Sequence, residues 1–347
     1  MRRRTRLAVL AAVVAGCIGA AVVYVGLSVA RSHKSSPPPG VHVVSGATLG
    51  PGASPIRTKD ASSVDTEGDS KLLFVSMIPD RTAGSLAVAP LSDPTSIRAI
   101  AGLRCVRVYY AGGRGLCLTR GGILNTGYVA KVFDSSFHVE RQYSVPGLPS
   151  RARVSPDGRF GATTMFVQGD SYSNGNFSTR TSIVDLETGK LVADLEKRPV
   201  TRNGQPFSNQ NFNFWGVTFA RDDDHFYASL GSGSDTYLLE GSMRDRTLKV
   251  LTEQVECPSL SPDGKRIAFK RIVGDAGDWR LFVLDLATMK VTRLAGDDPI
   301  DDHAEWLDAD HVVYGNDNVL WVVPADGSGQ PRKLLSYEFS PAVSRAS

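Results

Sequence analysis

The sequence predicts an all-β fold: a six-bladed β-propeller of four-stranded antiparallel blades, closed 3+1 by the C-terminal strand and preceded by one N-terminal transmembrane helix. Three observations predict it. A unit of alternating strand, turn and alternating strand recurs six times within residues 71–347. A tight-turn phrase, S-P-D-G, recurs between those units. An uncharged apolar run of 24 residues follows a basic N-terminus.

Composition agrees with this class. The chain has 347 residues, 41% apolar and 22% charged, with 34 Gly and 19 Pro. That is enough apolar material for a large core, and the Gly and Pro content suits many short strands and turns. The net charge of +3 is unevenly spread: residues 1–34 carry six basic residues and no acid. Removing those six from the 39 basic residues leaves 33 against 36 acids, so residues 35–347 are mildly acidic. Nucleic acid needs a basic face, so it is excluded as a partner.

Residues 1–34 form the first segment. Met1–Arg6 is basic, and Leu7–Ala30 is apolar and uncharged. As a helix the run spans about 36 Å, longer than the hydrocarbon core of a bilayer. The flanking arginines place the N-terminus in the cytoplasm and the body outside. Three readings are open: a retained signal-anchor crossing the membrane through residues 7–30, a lipoprotein through Cys17, or secretion after cleavage near Ala30. All three put the body outside the cytoplasm. Residues 35–70, with Ser35–Gly40 (SSPPPG) and Gly50–Pro55, form a Pro/Gly/Ser-rich linker too poor in large apolar residues to fold alone.

Residues 71–347 carry the repeat. The first halves of the six hairpins are Ser85–Leu91, Tyr128–Asp134, Thr181–Glu187, Asp235–Gly241, Arg280–Leu286 and Val319–Ala325. The second halves are Ser96–Gly102, His138–Ser144, Lys190–Glu196, Thr247–Glu253, Lys290–Gly296 and Pro331–Tyr337. Between hairpins lies strand–turn–strand, cleanest at Arg153–Phe160 and Cys257–Phe269 and degenerate at Val217–Asp223 and Ala304–Asp310. In S-P-D-G, Pro presets φ, Asp bonds the local backbone and Gly takes the strained position. Each unit is therefore four antiparallel strands. The first unit lacks its inner strand, and Phe339–Ser344 matches the inner-strand phrase Glu256–Ser261, so the C-terminus completes the first blade and removes a long edge.

The phrases S-P-D-G-R-F (Ser155–Phe160) and S-P-D-G-K-R-I (Ser261–Ile267), with the strand endings I-V-D-L-E-T-G-K (Ile183–Lys190) and V-L-D-L-A-T-M-K (Val283–Lys290), resemble the TolB-like, WD40-like β-propeller family. The resemblance covers about residues 71–347, without the N-terminal α/β domain of TolB. It implies a binding or scaffolding platform and supplies no catalytic set.

No G-x-S-x-G elbow, H-E-x-x-H or phosphate loop occurs, and no cofactor is expected. The six histidines lack metal-ligand spacing. Asp297, Asp298, Asp301, Asp302 and His303 form an acidic inter-blade loop, read as solvated, with a channel-mouth cation site as the alternative. Cys105 and Cys117 flank a hairpin turn that sets them opposite each other; a disulfide and two buried thiols are both open there. Cys257 is expected in the core.

Two segments stand out. Gly169–Arg180 joins the second and third strands of the third blade, and Arg198–Phe214 joins that blade to the fourth. Both connections emerge on one face. They mix Tyr172, Phe177, Phe207 and Phe212 with Asn174, Asn176, Asn209 and Asn211, which suits contact with a protein or a glycan. These eight residues are the candidate ligand-binding set, and their aromatics are expected to stand clear of the core. The function expected is non-catalytic binding of another envelope component; the rival is a lactonase or glycan-cleaving propeller working at the channel mouth.

Overall fold

The computed structural model describes residues 70–122, 127–167, 178–274, 277–300 and 302–345, with the backbone of Arg57–Lys59. Six sheets follow one another along the chain, each antiparallel between its four blade strands. Blade 1 begins with Lys71–Ser76, Ser85–Pro90 and Arg98–Arg104; blade 2 holds Arg107–Ala111, Arg114–Arg120, Tyr128–Phe133 and Val139–Val145. Blade 3 holds Leu148–Val154, Phe160–Val167, Ser178–Asp185 and Leu191–Asp194; blade 4, Phe212–Phe219, His225–Ser232, Asp235–Ser242 and Thr247–Glu253. Blade 5 holds Glu256–Leu260, Arg266–Ile272, Trp279–Asp285 and Val291–Arg293; blade 6, Ala304–Trp306, His311–Asn316, Val319–Pro324 and Arg332–Ser336.

The ring closes as the sequence predicts. Glu338–Ser344 pairs antiparallel with Lys71–Ser76, from Lys71 opposite Ser344 to Ser76 opposite Glu338, and is the inner strand of blade 1. Burial explains the strand compositions. Middle strands are covered on both faces by neighbouring blades, so Ser85–Pro90 is buried at its four central residues. Outer strands meet water, so Val139–Val145 is largely exposed and polar.

The turn chemistry also holds. The Ser155 hydroxyl accepts from Phe160 N at 2.8 Å, and Asp157 Oδ1 accepts from Arg159 N at 3.0 Å. Ser261 and Asp263 repeat this with Arg266 N and Lys265 N. In the degenerate copies an aspartate alone organises the turn: Asp222 Oδ1 accepts from Asp224 N and His225 N, and Asp308 Oδ1 from Asp310 N and His311 N. Adjacent blades seat on these turns. Gly112, at φ +54, lies so close to the Asp157 backbone that a Cβ there would sit 2.2 Å from its carbonyl carbon.

The structure adds strands that the sequence reading had placed in loops. Within the expected linker, Arg57–Lys59 pairs in parallel with Arg98–Arg104 on the outer edge of blade 1. Within Arg198–Phe214, Val200–Arg202 pairs in parallel with Thr247–Glu253, and Gln205–Phe207 pairs back on Val200–Arg202, so blade 4 has six strands. The hairpin turns at Asn203-Gly204, both at positive φ, the pair that favours a two-residue hairpin. An outer blade strand has a free row of backbone donors and acceptors, and each addition occupies such a row.

The predicted transmembrane segment, residues 7–30, lies outside the described residues. Among the described residues the helical content is one 3-10 turn, Leu195–Lys197, and no helix is long and apolar enough to cross a membrane.

The Cys105 and Cys117 sulfurs are bonded, with Cα atoms 5.4 Å apart. The hairpin does not set the two cysteines opposite each other, as the spacing had implied. Cys117 faces Val108 across the ladder, and Cys105 lies before the blade 2 inner strand, in the connection from blade 1. Cys257 is a buried free thiol.

Candidate functional site

The six inner strands meet at the axis, where polar side chains bolt opposite blades together. Arg153 of blade 3 forms an ion pair with Glu305 of blade 6, and both are buried. Tyr109 of blade 2 donates to the same Glu305 oxygen at 3.0 Å, and the Arg153 guanidinium lies 4.4 Å from the Tyr109 ring centre. Burial pushes the Tyr109 phenol up to about 12. Next along the axis, Arg107 of blade 2 donates to Ser150 O at 2.6 Å and lies 3.6 Å from Asp302.

Asp302 and His303 correct the reading of a solvated acidic loop. Both are 6% exposed. His303 Nδ1 lies 3.2 Å from Asp302, and its Nε2 lies 3.2 Å from Pro341 O in the closing strand. Burial pushes the imidazole below its ordinary range; Asp302, despite burial, is held well below the carboxylate range by His303 and Arg107. These residues join blade 6 to blades 1 and 2. Asp297 and Asp298 are exposed, and Asp297 pairs with Arg293 at 3.2 Å. Asp301 lies outside the described residues. Among the described residues, no group of three or more His, Cys, Asp or Glu is placed to hold a metal ion.

Away from the axis, the bases of the two predicted loops come together. Thr179 N donates to Asn213 Oδ1 at 2.9 Å, and Thr181 N to Glu196 Oε1 at 2.8 Å. Two cavities flank this junction and share Thr179, Asn211 and Asn213 as a wall. The outer one, 590 Å³, is lined by Ser178, Arg180, Glu196, Arg198 and the run from Pro206 to Phe214. The inner one, 440 Å³, is lined by Arg151, Trp215, Glu256, Cys257, Lys270 and Trp279 among others. Both volumes fall in the range of small-ligand sites.

Strand alternation sorts the side chains between them. Phe212 and Phe214 point to the outer cavity and the blade 4 core, whereas Asn213 and Trp215 reach the inner cavity. In the inner cavity the Lys270 ammonium lies 4.6 Å from the Trp279 ring centre, and Trp279 Nε1 donates to Glu256 at 3.2 Å. Trp215 packs on Gly231, where a Cβ would lie 2.8 Å from the indole.

Four of the eight predicted residues, Tyr172, Asn174, Asn176 and Phe177, lie outside the described residues. The other four, Phe207, Asn209, Asn211 and Phe212, all line the outer cavity. Their roles differ. Phe207 and Phe212 do not stand clear of the core: both are half-buried and pack against the cluster between blades 3 and 4. Phe207 meets Phe212 and Tyr237 edge-on at 5.0 and 5.5 Å, with Arg202 5.6 Å from its ring centre. The strand addition beneath them supplies the surface that buries these rings. Asn209 is a turn organiser, accepting from Asn211 N at 3.0 Å and donating to Ser232 Oγ at 3.1 Å. The Asn211 side chain makes no such bond and faces both cavities.

The sequence reading missed Ser178, Glu196 and Arg198. Asn203-Gly204 was the signal within reach, because a hairpin there brings Pro206 and Phe207 onto the cavity that Glu196 also lines. Burial, and the Asp194 carboxylate beside it, push Glu196 up to about 8, so it is un-ionised at neutral pH. Arg198 is lowered by burial and by the nearby Arg246 guanidinium.

The fold and these cavities define a class: a six-bladed β-propeller with cross-channel polar bolts and a cleft over blades 3 and 4. Its fold is that of a TolB-like propeller. TolB from Acinetobacter baumannii superposes with a TM-score of 0.57 at 17% identity, covering 80% of this chain and 67% of that one. The propeller in the crystal structure of the nidogen/laminin complex gives 0.56 at 11% identity, covering 79% of this chain and 98% of that one. No family model matches the sequence, and no curated protein matches it.

Proposed function

We propose that the protein is a membrane-tethered, extracytoplasmic propeller that binds another envelope component without catalysis, through the face over blades 3 and 4. The observation that carries the reading is that the described end of one long inter-strand segment, Ser178–Arg180, and the other, Arg198–Phe214, line adjoining cavities. Compact domains place binding residues on such segments and hold them on a rigid scaffold. The propeller fold supports a binding role, and a chain of similar fold comes from the crystal structure of a nidogen/laminin complex. The basic start and the apolar run at residues 7–30 support tethering with the body outside. Glu305, Asp302 and His303 at the axis hold blades together, which weighs against the rival enzyme at the channel mouth.

The experiment is in-cell photo-crosslinking with the full chain. A photoreactive residue at Gln210, exposed on the outer cavity, is compared with one at Lys265, in a turn outside the cleft. A covalent adduct from position 210 and none from 265 is expected; the reverse pattern would move the site elsewhere. Protease added to intact protoplasts should digest the body. Full protection would overturn the tethering.

A further inference from the structure

The channel opens into a basin on the face away from the two cavities over blades 3 and 4. Antiparallel order puts the S-P-D-G turns at that end of the blades and the segments around residues 178–180 and 198–214 at the other. The basin measures 580 Å³, and Pro156, Ser261 and Pro262 of those turns line it. The buried Arg153–Glu305–Tyr109 bolt lines it too, at the axis.

Its charge is one-sided. Lys71, Arg153, Arg221 and Arg345 line the basin, and Glu305 is the only acid among its described lining residues. That carboxylate is fully engaged: Oε2 takes Arg153 and Tyr109, and Oε1 accepts from Trp306 N at 3.0 Å. Four cations against one acid leave three positive charges in excess. The turn carboxylates next in sequence to lining residues do not answer them. Asp134, Asp157, Asp222 and Asp263 each accept from backbone N–H groups of their own turns.

Two of the cations are held by backbone and keep donors to spare. Arg345 follows the closing strand of blade 1 and donates through Nη2 to Trp306 O of blade 6. Arg221 follows the inner strand of blade 4 and donates through Nε to Pro262 O of blade 5 at 3.0 Å. A guanidinium has five N–H donors, so each has others to give. Arg221 is exposed and Arg345 half-buried, and no nitrogen of either is shut away from solvent without a partner. Neither forms an ion pair among the described residues. The wall between them is continuous, because Trp306 Nε1 donates to Ser259 O at 2.9 Å, in the strand that leads to Pro262. Lys71 faces Ser344 across the ladder, next to Arg345. The Arg345 charge also reaches the Tyr109 phenol, where it opposes the rise that burial imposes.

A guanidinium fork matches the paired oxygens of a carboxylate or phosphate, and a cleft lined by one sign of charge concentrates ions of the other. Arginines anchored on different blades suit a ligand with more than one anionic group. Tyr110, Phe137 and Phe219 supply apolar wall for its carbon frame. We propose that this basin binds a small polyanion carrying carboxylate or phosphate groups, one on Arg345 and another on Arg221. The site is separate from the face over blades 3 and 4 and does not depend on it.

The test is calorimetric titration of the full-length chain in detergent, at pH 7 and low salt. The probes are tricarballylate, its uncharged tricarboxamide and inorganic diphosphate. A hydrogen bond to a charged group is worth roughly a factor of ten or more in affinity, so an anion held at both arginines should bind about a hundredfold tighter than the tricarboxamide. Its affinity should fall as salt is raised. Binding by either anion supports the site, and the tighter of the two names the group recognised. Arg221→Gln and Arg345→Gln should each weaken that anion about tenfold. Arg345→Gln also cuts a link between blades 1 and 6; if it fails to fold, Arg345→Lys keeps the charge, loses the fork and should weaken binding severalfold. Arg120→Gln, exposed and outside the basin, should leave affinity unchanged. Four results would overturn the proposal. They are no binding of either anion, a tricarboxamide that binds as tightly as the anions, undiminished affinity in Arg221→Gln or in the Arg345 variant that folds, and a loss in Arg120→Gln as large as that in Arg221→Gln.

Discussion

Glu338 opens the strand that closes the ring, opposite Ser76. It is fully buried, and neither carboxyl oxygen has a hydrogen-bond partner. Burial alone pushes it from 4.5 up to about 9. The sign follows from proton counts. Between about pH 4.5 and 9 the folded protein keeps the proton and the unfolded chain releases it. Folding therefore takes up a proton, and stability falls as pH rises, by about 1.4 kcal/mol per unit. At pH 7, some 2.5 units above the unfolded value, the penalty is about 3 kcal/mol. Glu338→Gln keeps the shape and has no proton to take up. Its free energy of unfolding relative to the parent should climb by about 1.4 kcal/mol per pH unit from pH 5 to 8. Urea denaturation at four pH values, followed by tryptophan fluorescence, measures that slope. The slope decides the matter, because the extra N–H of Gln adds a constant offset of about 1 kcal/mol. A difference that stays flat with pH would refute the reasoning, since it would mean that Glu338 ionises in the folded state as it does in the unfolded one.

Three further outcomes are expected. Deleting residues 338–347 removes the inner strand of blade 1 and exposes the edge of Lys71–Ser76, so aggregation or a large fall in melting temperature should follow; an unchanged melting temperature would make the strand pairing dispensable. Arg153→Met strands Glu305 in the channel and should destabilise by about 3–5 kcal/mol, with most of the loss recovered in the Arg153→Met/Glu305→Leu double variant; a double variant no better than the single would show that the residues do not act as a pair. Phe207→Ala should lower stability by about 1–2 kcal/mol, less than a full core truncation because the ring is half-buried, as chemical denaturation would show; no loss would return Phe207 to the surface.

The sequence by itself determined the blade count, the strand order within each blade and the closing strand. Blade count and strand order follow from period-two alternation and turn residues, which are local; the closing strand was legible because it repeats the inner-strand phrase, although it pairs with the distant Lys71–Ser76. Even the worn turns at Asp222 and Asp308 are local, since one carboxylate caps two backbone N–H groups nearby. Phe207, Asn209, Asn211 and Phe212 were legible as a group because loop length and composition marked them. Only the tertiary structure decided what those residues do. Phe207 and Phe212 are half-buried because Val200–Arg202 pairs with Thr247–Glu253, a strand far along the chain, as in Thr201 with Lys249. The Arg153–Glu305 bolt joins residues 152 apart, and Tyr109 reaches Glu305 across 196. No local pattern encodes such pairs: a charged residue on an inner strand looks like any surface charge until ring closure sets its partner opposite. The same holds for the outer cavity. Ser178, Glu196 and Arg198 are ordinary as sequence; folding sets all three on the wall of one cavity.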